Sequence, residues 1–383
     1  MVVTESETPY ATPMIHNESG FLTTHLTHVA KAWYHGDMAW AVPQFSRTQV
    51  DEAGCSLVDL DVSPEQFERA IEIVDNWRSS HNFPLNTFQT WLRNKAREVD
   101  GDSLVAQRIK RLSSIELKLR RFPTMKLSQI QDIGGCRAVL KSVPHVYELQ
   151  ELYDNSDLKH KLDHVDDYIT KPKESGYRGV HLIYRYFSDR KYVYNDLKIE
   201  IQIRSRLQHA WATAVETVGT FLRQALKSSM GEGEWLRFFA LMATAIARRE
   251  RTADVPGTPT SGKGLTRELQ VLARRLDVEN RLRGYGAALQ TTQDPELKDA
   301  RYFLLTLDPM ARALTIDGYE ARQLGEANAQ YLKVERELDQ RRGAEAVLVS
   351  VESLALLRRA YPNYFLDTDV FLKEVERAVK RNL

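Results

Sequence analysis

The segment LKIEIQIRS, residues 197–205, alternates isoleucine with polar side chains along its length. On a strand, alternate side chains share one face of the sheet, so the isoleucines point one way and the polar residues the other. The pattern predicts a strand whose polar face either meets water or lines a cleft. That face carries Lys198, Glu200, Gln202 and Arg204.

Two further segments, residues 136–140 and 181–187, are rich in β-favouring residues and also predict strands. Helical periodicity dominates the segments on either side. The predicted helices are 46–56, 63–98 with Ser63 as N-cap, the whole of 103–122, 206–227 and 234–250. We therefore expect an α+β fold in which the strands form a central sheet flanked by helices.

Composition shifts suggest four parts of the chain besides the region that contains the predicted strands. Residues 1–37 lack periodicity, which favours a disordered extension, an ordered arm, or translation starting at Met38. A helical region is expected over 38–100. The Pro/Gly/Ser/Thr-rich stretch 251–264 predicts a linker, and 265–383 a small C-terminal α+β domain of unknown role.

Charge and composition exclude several classes of protein. The 383 residues carry a net charge of +1, so nothing favours binding to bulk nucleic acid or to a membrane surface. The apolar run 238–247 is about half a membrane span. Cys55 and Cys136 match no metal or redox spacing, and the acidic N-terminus has no signal-peptide pattern. We expect a cytoplasmic protein with a local basic site.

Three segments could carry chemistry. Asp132 precedes a double glycine at the start of a strand, where a carboxylate binds Mg²⁺ or caps a turn. In RIKRLSSIELKLRR, residues 108–121, Lys110, Ser114 and Lys118 would share one helical face suited to a triphosphate, or simply form a solvated face.

The third segment is the loop KPKESGYRGVH, residues 171–181. Its cations could neutralise phosphates, and Tyr177 offers a ring on which a nucleobase can stack. Alternatively, Tyr177 packs at a strand start while the lysines face solvent. Taken singly, each of the three segments supports the functional and the structural interpretation alike.

In their order along the chain, RIKRLSSIELKLRR, QDIGGCRAVL, DDYITKPKESGYRGVH and IEIQIRSRLQHAW resemble the synthetase domain of the RelA/SpoT family. The resemblance covers residues 101–250. It implies a nucleotidyltransferase-like mixed sheet and a Mg²⁺-dependent pyrophosphotransferase that makes ppGpp and pppGpp, the stringent-response alarmones. Pyrophosphate from ATP would move to the ribose 3′-hydroxyl of GDP or GTP. Because no His-Asp dipeptide occurs, we expect a stand-alone synthetase without the hydrolase domain.

The resemblance also assigns roles residue by residue. Asp132 and Glu200 match the catalytic, Mg²⁺-binding carboxylates. The matches to the ATP-phosphate motif are Arg108, Lys110, Ser114 and Lys118. The matches to the acceptor-nucleotide positions are Lys173, Tyr177, His181, Gln202 and Arg204. Ser175 and Gly179 depart from the family's usual asparagine and serine, and both lie in the loop that carries Lys173 and Tyr177.

Two other interpretations stay open at this point. The same fold could act as a toxin that pyrophosphorylates tRNA 3′ ends or adenosine nucleotides, or it could be an inactive nucleotide-binding module. The intact Asp132, Glu200 and Lys173 argue against an inactive module. The helices neither establish nor exclude a homo-oligomer.

Overall fold

One mixed sheet of nine strands organises the computed structural model of this chain. The structure describes residues 40–225, 232–287, 290–293, 297, 300–338, 344–351, 353–365 and 367–380. The expected extension over 1–37 lies outside them. The strands are β1 (Leu104–Ile109), β2 (Gly134–Leu140), β3 (Lys161–Asp167), β4 (Val180–Arg185), β5 (Lys198–Ser205), β6 (Gln290–Gln293), β7 (Tyr302–Asp308), β8 (Ala313–Tyr319) and β9 (Glu345–Ser350). Their order is β3-β4-β5-β2-β1-β9-β7-β8-β6.

Helices cover both faces of this sheet. They are α1 (Arg47–Ser56), α2 (Pro64–Ser80), α3 (Asn82–Val99), α4 (Leu112–Arg121), α5 (Val143–Asp154), α6 (Arg206–Ala225), α7 (Glu232–Glu250), α8 (Gly262–Arg275), α9 (Val278–Ala287), α10 (Leu324–Leu338), α11 (Leu354–Ala360) and α12 (Asp369–Lys380). Short 3₁₀ turns occur at Leu127–Gln129, Tyr192–Tyr194 and Ala321–Gln323. Among the described residues, no helix combines the length and apolar character needed to cross a bilayer.

Local sequence explains where the first helices begin. Ser46 and Ser63 each accept a hydrogen bond from the backbone N–H three residues on. In return, the side-chain oxygens of Gln49 and Gln66 accept one from the backbone N–H of the cap residue, so otherwise unpaired N–H groups are satisfied. Ser63 is therefore the N-cap that the sequence predicts. The α+β expectation, with a mixed sheet flanked by helices, is confirmed.

The pairing of β2 with β5 defines the two faces of the sheet. These strands are parallel, and Gly135 lies opposite Glu200 while Arg137 lies opposite Gln202. The isoleucines of β5 are fully buried in the core beneath α2, α3 and α5. Since paired residues point to the same side, the alternating polar residues of β5 share the opposite face, which we call the polar face, with Gly135 and Arg137.

One predicted helix is partly a strand. Residues 104–109 of the segment 103–122 form β1, which pairs antiparallel with β2, and α4 begins only at Leu112. Arg108 therefore lies on a strand opposite Gly135, and Lys110 precedes the helix. The expectation that Lys110 shares a helical face with Ser114 and Lys118 is wrong, because pairing with β2 overrides the local periodicity.

The C-terminal residues also differ from the expectation of a separate domain. Strand β9 pairs with β1, with Arg108 opposite Val349, so the sheet continues into the C-terminal strands. Helix α12 packs with α6–α8 in one hydrophobic cluster. The described residues belong to one compact unit, Trp40–Leu383.

The expected linker at 251–264 is likewise packed on its neighbours. Val255 is only 2% exposed. Arg248 of α7 donates to the Pro259 carbonyl at 2.7 Å and to the Thr260 carbonyl at 3.0 Å. Its Pro/Gly/Ser/Thr composition thus encodes a structured turn rather than a connection between two independent bodies.

Candidate active site

Two lysines from different elements converge on Asp132, just before β2. Lys110 Nζ lies 2.5 Å from Asp132 Oδ2, and Lys118 Nζ lies 3.0 Å from Oδ1. Burial raises the pKa of this carboxyl, but the two ammonium groups outweigh burial and lower the pKa to about 2. Asp132 is therefore anionic at neutral pH, and three of the predicted site residues are brought together here.

Glu200, on the polar face of β5, is held at both carboxylate oxygens. His181 Nδ1 lies 2.9 Å from Oε1, and Gln202 Nε2 donates to Oε2 at 2.6 Å. Burial raises the pKa of Glu200, yet its hydrogen bonds to His181 and Gln202 outweigh burial, so the pKa lies below its usual range. The charge of Asp132 acts in the opposite direction. Asp132 lies three residues before Gly135, which pairs with Glu200 across the parallel strands β2 and β5.

A closed ring of hydrogen bonds links five of the predicted site residues, and Glu200 is one of them. Tyr177 Oη lies 2.5 Å from His181 Nε2. Arg204 Nη2 donates to Tyr177 Oη and to Gln202 Oε1, each at 2.7 Å. When Nδ1–H of His181 donates to the Glu200 carboxylate, Nε2 of His181 accepts a hydrogen bond from the Tyr177 hydroxyl. The ring fixes the orientation of the Tyr177 side chain and of the carboxylate together.

The loop that carries Tyr177 presents a cation beside two aromatic rings. Lys173 Nζ lies 4.0 Å from the ring centroid of Tyr168 and 5.4 Å from that of Tyr177. On Tyr177 the Arg204 guanidinium is 4.9 Å from the centroid. Lys173 is exposed and Tyr177 is half-buried. A flat ring next to an exposed positive charge suits a ligand that combines a base with phosphates.

The remaining residues that match the ATP-phosphate motif, Arg108 and Ser114, lie on different elements. Arg108 belongs to β1 on the polar face, and the charge of Glu216 helps to raise its pKa against the effect of burial. Ser114 lies half-buried in the first turn of α4. The structure therefore places Lys110 and Lys118 on Asp132, with Arg108 along the same sheet face.

Two residues of this site are absent from the sequence prediction. Arg137 donates from Nη2 to the Ala360 carbonyl at 2.6 Å, and its guanidinium lies 5.3 Å from the centroid of the Tyr361 ring. Burial and the neighbouring Arg204 lower the pKa of Arg137 to about 10. The alternation Gly135–Arg137 in β2 could have revealed it. Tyr168, the second aromatic neighbour of Lys173, gives no such sequence signal.

The carboxylates are the groups that could hold a cation. Within the described part of the chain, no cluster of three or more His, Cys, Asp or Glu side chains could hold a metal ion. Mg²⁺ commonly takes one or two protein carboxylates and completes its shell with water and phosphate oxygens. A carboxylate has about four acceptor sites, so the hydrogen bonds to Asp132 and Glu200 leave oxygen lone pairs for such an ion. The donor set fits a metal that arrives with a nucleotide.

Taken together, anionic carboxylates between two groups of cations define a site for phosphorylated ligands. Residues 107–218 match the family model described as the region found in RelA/SpoT proteins. This part of the chain is therefore similar to the region found in RelA/SpoT proteins, in agreement with the resemblance seen in the motifs.

Two curated relatives from Bacillus subtilis each match part of the chain. GTP pyrophosphokinase YjbM is 35% identical over 116 residues, which are 28% of this chain and 52% of that protein. GTP pyrophosphokinase YwaC is 27% identical over 169 residues, covering 40% of this chain and 80% of YwaC. The match thus spans about half the length of YjbM.

Among solved structures, small alarmone synthetase 2 from Bacillus subtilis aligns with a TM-score of 0.37 at 24% identity. The alignment covers 45% of this chain and 94% of that one. At this TM-score the alignment supports no structural conclusion.

Proposed function

We propose that this chain is a (p)ppGpp synthetase that transfers pyrophosphate from ATP to the 3′-hydroxyl of GDP or GTP with Mg²⁺. The observation that carries the proposal is the arrangement of Asp132 and Glu200 between two different cationic groups. Lys110 and Lys118 contact the Asp132 carboxylate. The ring of hydrogen bonds that includes Tyr177 contacts the Glu200 carboxylate. The names of the two Bacillus relatives, both GTP pyrophosphokinases, support the same reaction.

The donor half consists of Lys110, Lys118, Ser114 and Arg108. Each ammonium group has three donors, so both lysines can bind phosphate oxygens while they contact Asp132. Arg108 adds a permanent charge along the sheet face. These residues hold the triphosphate of ATP with its β-phosphorus near the two carboxylates.

The acceptor half consists of Lys173, Tyr177 and their neighbours. Tyr177 provides the platform for the guanine, and Lys173 neutralises the 5′-phosphates. The ring of hydrogen bonds through His181, Gln202 and Arg204 keeps the platform and Glu200 in a fixed relation. Under this proposal, the ribose of a nucleotide stacked on Tyr177 lies beside the Glu200 carboxylate.

The transfer needs a base at the acceptor hydroxyl. Glu200 accepts the 3′-hydroxyl proton as the oxygen bonds to the β-phosphorus of ATP. The bond from that phosphorus to the α–β bridging oxygen breaks, and AMP leaves with its electron pair. Asp132 and Glu200 would hold Mg²⁺, which when bound neutralises charge on the transferring phosphates. These substrates are cytoplasmic nucleotides, so the proposed activity belongs to the cytoplasm.

A panel of acceptors tests this proposal. The protein is incubated with γ-labelled ATP, Mg²⁺ and GDP, GTP, ATP or tRNA in separate reactions. We expect label on the guanosine nucleotides, together with AMP. Label on tRNA or on a new 3′-pyrophosphorylated adenosine nucleotide instead would reassign the protein to the toxin-like activity. Transfer to no acceptor by folded protein would make it a binding module.

A further inference from the structure

Three successive residues at the β1–α4 junction are held by groups far away in the chain. Lys110, Arg111 and Leu112 lead from β1 into α4, so their geometry sets the direction of Lys110 and of the helix that carries Lys118. The contacts come from α2 and from the C-terminal elements α10 and β9. Because the junction belongs to the donor half of the proposed synthetase, a role for these contacts in catalysis rests on the proposed function.

The first contact is made by Arg78 of α2, which is 1% exposed. Its Nε donates to the Lys110 carbonyl at 3.0 Å. Its remaining donors pair with Asp75 Oδ1 at 3.0 Å, with Glu335 Oε2 at 2.8 Å and with Tyr331 Oη at 2.9 Å. A buried guanidinium with this many partners has one allowed position, so it fixes the carbonyl of Lys110.

The second contact replaces a missing helix cap. The N-cap residue of α4 is Arg111, and its side chain makes no capping hydrogen bond. Instead, the Leu112 N–H donates to Glu335 Oε1 at 2.8 Å, from α10. A carboxylate at this end of a helix satisfies an unpaired donor and interacts favourably with the helix dipole. Glu335 thus holds Arg78 with one oxygen and the start of α4 with the other.

The third contact is an ion pair between Arg111 and Glu345, the first residue of β9. Both side chains are less than one-fifth exposed. Glu335 and Glu345 lie beyond residues 107–218, the region shared with RelA/SpoT proteins. The C-terminal elements therefore supply the groups that fix the backbone of the donor motif.

We propose that Glu335 and Glu345 are positioning residues for the donor nucleotide. By fixing Lys110, Arg111 and Leu112, they hold the ammonium groups of Lys110 and Lys118 at Asp132 before ATP binds. Such preorganisation lowers the cost of binding the triphosphate. It has no corresponding effect on the acceptor, whose contacts come from the loop at 173–181 and from β5.

The test compares Glu335→Gln with Glu337→Gln in the full-length protein. Glutamine keeps an oxygen for the Leu112 N–H but loses the charge that holds Arg78. Glu337 lies exposed on the same helix and serves as the matched control. The readouts are KM for ATP, KM for GDP, and the Kd of AMPCPP, whose methylene bridge prevents transfer.

We expect Glu335→Gln to raise KM for ATP and Kd for AMPCPP about tenfold, which corresponds to about 1.4 kcal/mol. KM for GDP should stay within about twofold of the wild-type value, because the acceptor contacts come from other elements. Glu345→Gln should shift the same parameters in the same direction, and it replaces the first variant should that one fail to fold. Glu337→Gln should leave all three constants unchanged.

A lower thermal midpoint with unchanged AMPCPP affinity would mean a purely structural role and would overturn the inference. Equal losses for ATP and GDP would overturn it as well. The Kd of AMPCPP separates this inference from the proposed function. A wild-type protein that binds AMPCPP but labels no acceptor refutes the synthetase proposal. The effect of Glu335→Gln on AMPCPP binding still decides the role of Glu335 in that case.

Discussion

At the scale of single residues, Tyr177 carries the acceptor part of the proposal. Its hydroxyl is fixed by His181 and Arg204, which leaves the ring as a rigid surface. Stacking of a base on such a ring contributes about 1–3 kcal/mol. We therefore expect Tyr177→Ala to raise KM for GDP or GTP by about 5- to 150-fold. Steady-state kinetics with ATP saturating measures this change.

Tyr192 provides the matched control for that substitution. It is 71% exposed and begins the 3₁₀ turn between β4 and β5. Tyr192→Ala should leave both KM values as in the wild type. An acceptor KM that Tyr177→Ala does not change would remove Tyr177 from the acceptor site.

A second residue-scale prediction concerns pH and stability. His81 is 1% exposed, and burial lowers its pKa to about 4, against a smaller raising effect of the hydrogen bond to the Trp77 carbonyl. In the unfolded chain, histidine titrates near 6.5. Between these values the unfolded state binds a proton that the native state does not, so stability falls as the pH decreases through this window.

From pH 7 to pH 5, His81 should reduce the free energy of unfolding by about 2 kcal/mol. Urea denaturation at both pH values, with wild type and His81→Gln, isolates this contribution. The variant keeps a donor for the Trp77 carbonyl but cannot titrate, so its loss should be smaller by about that amount. Identical pH dependence of the two proteins would contradict the assignment.

Sequence reasoning finds the charged residues of the site but not all of their partners. Asp132 and Glu200 can be chosen because their positions follow from strand alternation and from motifs. The pairing of Lys110 with Asp132 cannot be predicted from the sequence, because it depends on the direction of the chain as it leaves β1. Arg137 is within reach, since the alternation that places Gln202 on the polar face applies equally to β2.

At the scale of elements, β1 shows where local patterns mislead. Residues 103–122 contain many residues that favour helices, and nothing local marks Ile109 as the end of a strand. The decision is made by pairing with β2 on one side and β9 on the other. Such contacts join residues distant in sequence, so no window of the chain contains the information.

The loop at 173–181, which we call the acceptor loop, contains a backbone position that only glycine suits. Gly176 has φ of +93°, and a Cβ there would lie 2.7 Å from Ala243 Cβ and 3.2 Å from the Phe239 carbonyl. We expect Gly176→Ala to lower the free energy of unfolding by about 1–3 kcal/mol and to displace Tyr177, raising the acceptor KM. Chemical denaturation and kinetics measure the two effects.

Gly101→Ala is the appropriate comparison for Gly176→Ala. No atom lies within 4 Å of a Cβ at Gly101, so the added methyl group meets open space. Its stability and kinetics should match those of the wild type. Equal behaviour of the two alanine variants would show that the loop tolerates a side chain at Gly176 and does not depend on its positive φ.

At the scale of the whole molecule, the C-terminal residues extend the sheet of the RelA/SpoT-like region instead of following it as a separate body. The composition of 251–264 predicts a linker because composition reports flexibility only in the absence of tertiary contacts. Here Arg178 of the acceptor loop donates to Thr252 Oγ1 at 2.8 Å, and α12 buries Phe371 against Phe239 with ring centroids 5.8 Å apart. These contacts tie the regions before and after 251–264 into one folded unit.

This arrangement predicts a large effect of Phe371→Ala on the whole unit. Phe371 is fully buried and its neighbour Val370 is 50% exposed. Truncating a buried phenylalanine costs about 3–5 kcal/mol, and we expect that loss in the single unfolding transition of the chain. Thermal unfolding followed by tryptophan fluorescence measures it. A separate C-terminal domain would instead produce two transitions, with only one of them shifted relative to Val370→Ala.

The central claim is that Asp132 and Glu200 direct pyrophosphate transfer to a guanosine nucleotide. The direct measurement is the amount of AMP and of 3′-pyrophosphorylated product formed from ATP and GDP by wild type, Glu200→Gln and Asp132→Ala. We expect equal amounts of the two products from the wild type, and a loss of at least about 100-fold in both folded variants. Near-normal synthesis by either variant, or AMP without the guanosine product, would contradict this mechanism.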